Sequence, residues 1–135
     1  MDENSITAII TQRLDAAKED LKAARVLLRE HIPKSSINRS YYAIFHAVRA
    51  AVAVKGFDSS KHSGIIAFFN AEFVKTGIFE KQVSKIIDSA FRMREKSDYL
   101  DFFVASEDEA RELIDKAEYV IETVEAWLST WSEKD

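Results

Sequence analysis

The sequence has no cysteine, one proline and three glycines in 135 residues. Without cysteine there is no disulfide scaffold, no thiolate zinc or iron–sulfur site and no cysteine nucleophile. Three histidines alone leave little material for a metal site built by the protein, so neither a metal nor a cofactor is expected. Scarce glycine and proline exclude collagen-like and low-complexity chains and leave few points at which a helix must break. Long apolar runs are missing too: no stretch approaches the ~18 residues that span a bilayer, and no membrane association is expected. The opening MDENSITAII has no basic segment ahead of its short apolar run, unlike a secretory signal. The cytoplasm is the expected compartment.

What remains is 47% hydrophobic and 31% charged, enough for one packed core. The length fits a single domain over residues 1–135, and a chain of this size buries roughly two-thirds of its unfolded surface. The net charge of −4 is unevenly spread. Residues 34–96 carry eleven basic and five acidic side chains, whereas residues 97–135 carry three and twelve. An acidic chain is a poor non-specific nucleic-acid binder, but a locally basic middle can still hold phosphate.

Apolar periodicity predicts helices throughout. Ile6, Ile9, Ile10, Leu14, Ala17, Leu21, Ala24 and Leu28 form one stripe, with Asn4 or Ser5 as cap and Pro33 as terminator. A second helix is expected from Ser35 or Ser36 to Lys55, stopped by Gly56. It is apolar almost all round, which places it centrally or against another subunit. A third starts near Ser59 or Ser60 and carries Ile65, Ile66, Phe68, Phe69 and Phe73, and a fourth runs from about Glu80 to Ser97. Ser106-Glu107-Asp108-Glu109 reads as a capping box opening a fifth helix. The expected fold class is all-α: an antiparallel bundle of four main helices plus a shorter one. Trp127 and Trp131 either extend its core or mark a partner surface.

The run Asn38-Arg39-Ser40-Tyr41-Tyr42-Ala43-Ile44-Phe45-His46-Ala47 carries the chemistry. Arg39 and His46 are two turns apart on one helix face, about 10.5 Å along the axis. Tyr42 lies between them, and Ala50 continues the face. A permanently charged Arg on a largely buried helix needs an anion, a carboxylate or solvent.

This run resembles the signature of small HEPN-domain proteins. So do Lys61-His62-Ser63-Gly64-Ile65-Ile66 followed by Phe69 and by Phe73-Val74-Lys75-Thr76-Gly77, and Arg94-x-x-x-Asp98-Tyr99. The likeness covers about residues 8–126. It implies an all-α bundle that commonly forms a homodimer. In many members an Arg-x4–6-His motif builds a metal-independent endoribonuclease site across the dimer interface. Members often act as toxins paired with a small nucleotidyltransferase-type antitoxin. Arg39 and His46, with six residues between them, fit the outer limit of that motif. The polar position after the Arg is Ser40 here. The position two after the His, a Tyr that receives AMP in some toxin members, is Val48, so the resemblance does not carry that modification over.

The chemistry follows from the side chains. RNA cleavage without metal uses the neighbouring 2′-hydroxyl as nucleophile; His46 has the intrinsic pKa of a general base or acid near neutrality. Arg39 can hold the phosphate and stabilise its charge. Two helical turns is too far for both groups of one chain to serve one phosphate easily, so a second chain packed along this helix is expected to complete the site. Asn38, Tyr42, Lys61, His62, Arg94, Asp98 and Tyr99 are the candidate binding residues, for RNA or a nucleotide. Each has a plainer reading. His46 serves as a core or interface histidine, Arg39 pairs with Asp98 or another carboxylate, and His62 makes a cap or inter-helix hydrogen bond. Arg94–Asp98 is an i,i+4 pair supporting its own helix. At the level of function the alternatives are a non-catalytic module that binds nucleotide or RNA or docks on a nucleotidyltransferase, and a purely structural dimer.

Overall fold

The computed structural model describes residues 3–100 and 103–133. Five α-helices follow in order: α1 (Glu3–Arg29), α2 (Pro33–Ala53), α3 (His62–Phe69), α4 (Lys81–Tyr99) and α5 (Glu107–Glu133). A π-helical turn, Asn70–Val74, prolongs α3. Among the described residues there is no strand, and the expected pattern of four long helices and one short one holds. Cross-links give the directions. Ser36 Oγ donates to the Ala24 carbonyl at 2.8 Å, and Arg13 Nη1 to the Arg49 carbonyl at 2.8 Å, so α1 and α2 run antiparallel. Lys18–Glu125 and Arg25–Glu118 ion pairs show the same for α1 and α5.

The central helix is α2, which touches α1, α3, α4 and α5. Its composition explains why: Ala43, Ala47, Val48, Ala50, Ala51 and Val52 are fully buried. Small side chains let neighbouring backbones approach, and fully buried Ala17 and Ala24 do the same from α1. At the far end Phe69, Phe73 and Phe79 stack on one another, and Trp127 meets Phe73 and Phe79 edge-on at 5.4 and 5.5 Å. Trp127 therefore extends the core. Leu113, Ile114, Ala117, Val120, Ile121, Val124 and Leu128 of α5 are buried as the periodicity predicts.

Several boundaries differ from the sequence reading. α1 starts at Glu3, ahead of the expected caps Asn4 and Ser5. Its end is made by His31 rather than by Pro33. The His31 amide donates to Leu28 and the Ile32 amide to Leu27, both at 2.9 Å, with His31 at φ 63°. That is the reverse turn in which glycine usually occupies the left-handed position. Pro33 instead opens α2, where its fixed φ suits the first helical turn and its missing N–H costs nothing. Ser35 and Ser36 are thus inside α2, and the Ser36 hydroxyl is spent on α1. α3 begins at His62, after an extended Lys61 with no side-chain cap. Ser59 and Ser60, where the helix was expected to start, lie in the loop before it, and the Ser59 hydroxyl accepts from the Lys61 amide at 3.2 Å. This loop lies so close to α3 that a Cβ on Gly64 would sit 2.7 Å from Ser59 Oγ. The capping box is present as read: Glu109 N–H donates to Ser106 Oγ at 3.0 Å, and Ser106 N–H to Glu109 Oε1 at 3.2 Å. Of the expected loop 101–105, residues 101 and 102 lie outside the described residues, and 103–105 are irregular.

Candidate functional site: a charged seam between the first two helices

Antiparallel packing of α1 on α2 sets one stripe against the other. On α2 the stripe reads Arg39, Tyr42, His46, Arg49 at helical spacing; on α1 it reads Arg13, Ala17, Asp20, Ala24. Ala50, expected to continue the α2 face, is buried in the core, and Arg49 continues it instead.

Asp20 is the hinge of the arrangement. Its Oδ1 accepts from Arg39 Nη1 at 3.0 Å, and its Oδ2 lies 3.5 Å from His46 Nε2. The side chains of Asp20, His46 and Arg39 are 15%, 24% and 38% exposed. The two-turn separation that seemed to keep Arg39 and His46 apart on one chain is closed by side-chain reach. The long guanidinium arm leans along the helix, so both groups address a single anion. Asn38 Oδ1 holds the guanidinium from the other side, accepting from Nη2 at 2.7 Å and Nε at 3.2 Å. The Tyr42 ring lies beneath it, 5.0 Å from Cζ.

A second arginine joins from α4. Arg94 Nη2 donates to Tyr42 Oη at 3.2 Å, and its Cζ lies over the Tyr41 and Tyr42 rings at 5.3 and 5.5 Å. Its Nε stands 2.9 Å from Asp98 Oδ2, so the i,i+4 pair does form. Asp98 also lines a cleft of about 430 Å³ with Arg39, Asn38, Lys34, Ser35 and Leu27. Arg39, however, takes Asp20 and not Asp98 as its carboxylate. Tyr99 is 73% exposed at the end of α4 and lines no part of this cleft. His62 is drawn elsewhere. Its ring stacks on Phe45 at 3.9 Å, and its Nδ1 lies 2.8 Å from Tyr41 Oη, the inter-helix contact that was the plainer reading. Lys61 is exposed at the start of α3.

Electrostatics favour neutral imidazoles. Burial lowers the His46 pKa first; Asp20 opposes this, and Arg49, Arg39 and Arg13 add to it. His62 is lowered by burial, then by Arg94, Arg49 and His46. Burial pushes the Tyr41 phenol up, against Arg94. His46 Nδ1 is buried without a hydrogen-bond partner among the described residues. No group of three or more metal-ligating side chains occurs among them either, and no described helix is long and apolar enough to cross a membrane.

Three participants were not singled out in the sequence: Asp20, Arg13 and Arg49. The signal for two of them was legible. Arg13 and Asp20 fall on the apolar stripe of α1, three residues after Ile10 and three after Ala17, where a charge needs a partner.

Fold and seam together define an all-α bundle whose central helix offers a guanidinium and an imidazole to one anionic position. The chain belongs to the HEPN family: the HEPN domain profile matches residues 10–127. Among similar proteins, a UPF0332 protein of Thermotoga maritima is 39% identical over 109 residues, 81% of this chain and 83% of the relative. A protein of Methanocaldococcus jannaschii named a "putative toxin" is 32% identical over 115 residues, 85% of each chain. A second protein of that organism with the same designation is 26% identical over 115 residues, 85% of this chain and 78% of the relative.

Proposed function

We propose that this protein is a metal-independent endoribonuclease of toxin type, acting as a homodimer in the cytoplasm, with Arg39 and His46 as its catalytic pair. The observation that carries this is the convergence of both side chains on one carboxylate, Asp20. A site that holds a carboxylate between a guanidinium and an imidazole has the charge and reach to hold a phosphodiester. The lowered His46 pKa supports a neutral imidazole at neutral pH, ready to take a proton. In the reaction His46 removes the 2′-hydroxyl proton, and the 2′-oxygen attacks the adjacent phosphorus. The bond from phosphorus to the 5′-oxygen breaks, and that oxygen takes a proton from an imidazolium. The products are a 2′,3′-cyclic phosphate and a 5′-hydroxyl. Arg39 neutralises the non-bridging oxygens throughout, and Asn38 and the Tyr42 ring orient it. The relatives named as toxins support a toxin role. In this reading a small nucleotidyltransferase is the partner that restrains it.

One observation favours a second reading. Asp20 already neutralises the pair, as expected of a non-catalytic module that binds nucleotide or RNA weakly, or docks on a nucleotidyltransferase. The test is RNA degradation in EDTA by the wild type, Arg39→Ala and His46→Ala. The proposal expects cyclic-phosphate ends from the wild type and none from either variant. Equal degradation by all three would assign the activity to a contaminant; calorimetric RNA binding without turnover would favour the module.

A further inference from the structure

The charged stripe of α2 continues past His46 to Arg49, ten residues and about 15 Å along the axis from Arg39. There α1 contributes Arg13, which donates to the Arg49 carbonyl. Arg49 Nη2 stands 3.2 Å from Asp58 Oδ1, and Arg13 Nη2 stands 3.4 Å from Asp58 Oδ2. Two guanidiniums thus share one carboxylate, and the notch keeps a positive charge in excess. The arginine side chains are 14% and 28% exposed for Arg13 and Arg49, while Asp58 is 56% exposed. The cations are the inner part and the carboxylate is the outer one, its Oδ1 also accepting from the Ser59 amide at 2.9 Å. Arg49 Nε is buried and has no hydrogen-bond partner among the described residues. In front of Arg49 opens a cleft of about 520 Å³, walled by Phe45, Asp58, Ser59, Ser60 and His62, a size that suits small ligands. Two half-buried arginines against one exposed carboxylate are a poor device for stability alone, since desolvation offsets the pairing.

We propose that the Arg13–Arg49 notch is a second phosphate-binding subsite, taking the phosphate that flanks the one held at Arg39 and His46, with Asp58 giving way as it enters. This rests on the reading of α2 as the RNA-binding face. The same chemistry would hold the phosphate of a free mononucleotide. Arg39 and Arg49 hold different carboxylates, Asp20 and Asp58, so a strand crossing the seam can engage both with successive phosphates.

The test is fluorescence anisotropy of a labelled single-stranded RNA on the full chain carrying His46→Ala, over a salt series. Arg49→Gln is expected to weaken binding about tenfold and to reduce the slope of log K against log salt by about 0.7, one single-strand phosphate contact. Asp58→Asn is expected to tighten binding severalfold, and that gain should disappear when Arg49→Gln is added, whereas a general charge effect would persist in the double variant. Arg49→Lys, which keeps the charge, guards against misfolding: it should retain most of the slope. Calorimetry with adenosine monophosphate separates the sources. Dependence on Arg49 there assigns the notch to free nucleotide as well; indifference assigns it to the strand. Unchanged affinity and slope in Arg49→Gln, with RNA still lost in Arg39→Gln, would overturn the subsite and leave the nuclease reading standing. Dependence on Arg49 without dependence on Arg39 would do the reverse, and no RNA binding by any form would overturn both.

Discussion

Replacing Asp20 by Asn is the most informative single perturbation, because it moves two observables in opposite directions. Asparagine keeps the shape and the helix preference but removes the charge between Arg39 and His46. Unit charges at about 4 Å attract by roughly 4 kcal/mol at an effective dielectric of about 20, before desolvation is counted. Exposed pairs retain about 0.2–1 kcal/mol of this, and breaking a buried pair costs about 3–5 kcal/mol. The Asp20–Arg39 pair lies between these limits, at 15% and 38% exposure. Arg39 also keeps Asn38 and the Tyr42 ring as partners. A loss of about 1–2 kcal/mol follows, or about 4–8 °C in melting temperature for a chain of this length. RNA affinity should instead rise severalfold, since the carboxylate that competes with phosphate is gone. Losing the one neighbour that raises the His46 pKa should also move the acid limb of any cleavage profile to lower pH. The assays are thermal melting by circular dichroism and RNA anisotropy at fixed salt. An unchanged melting temperature together with weaker RNA binding would refute the reasoning.

Folding should also depend on pH. His46 and His62 both ionise less readily in the folded chain than at the ordinary value of 6.5, chiefly through burial. The unfolded state then binds more protons, so this stability is fully present above pH 6.5 and is lost as pH falls through the lower folded values. Melting temperature should drop on acidification below 6.5, less so in His46→Gln; a rise would contradict the sign. Ser106→Ala removes one arm of the capping box and should cost about 1 kcal/mol by urea denaturation. Phe73→Ala empties a fully buried position among Phe69, Phe79 and Trp127, with an expected loss of about 3–5 kcal/mol and a shift in Trp127 emission. A cost under 1 kcal/mol would mean that the cluster collapses into the space.

The bundle was legible because its signals are local. The alanine-rich second helix reads from composition as central or packed against another subunit, and the bundle makes it central; Ser106–Glu109 carries its own cap within four residues. The Arg94–Asp98 pair was legible for the same reason. The seam was only half legible. Arg39 and His46 stand out on a largely apolar helix, but their partner Asp20 lies 19 residues from Arg39 on another helix; its place on the apolar stripe of α1 asks for a partner without saying which. Helix-axis spacing also misled: it measures backbone separation, and a guanidinium at the end of a flexible stem removes much of that distance. Boundaries were misplaced where a residue can serve either side. Pro33 can end one helix or start the next, and Ser59 and Ser60 can open α3 or close the turn before it; only the tertiary packing decides between them.

The most direct measurement follows the His46 imidazole itself, by NMR titration of its Cε1 proton with and without an RNA made uncleavable by 2′-deoxy substitution. The account predicts a pKa below 6.5 in the free protein, rising when a phosphate settles beside the ring, and a rise that disappears in Arg39→Gln. An imidazole that titrates identically with and without bound RNA would place the phosphate elsewhere and contradict the account.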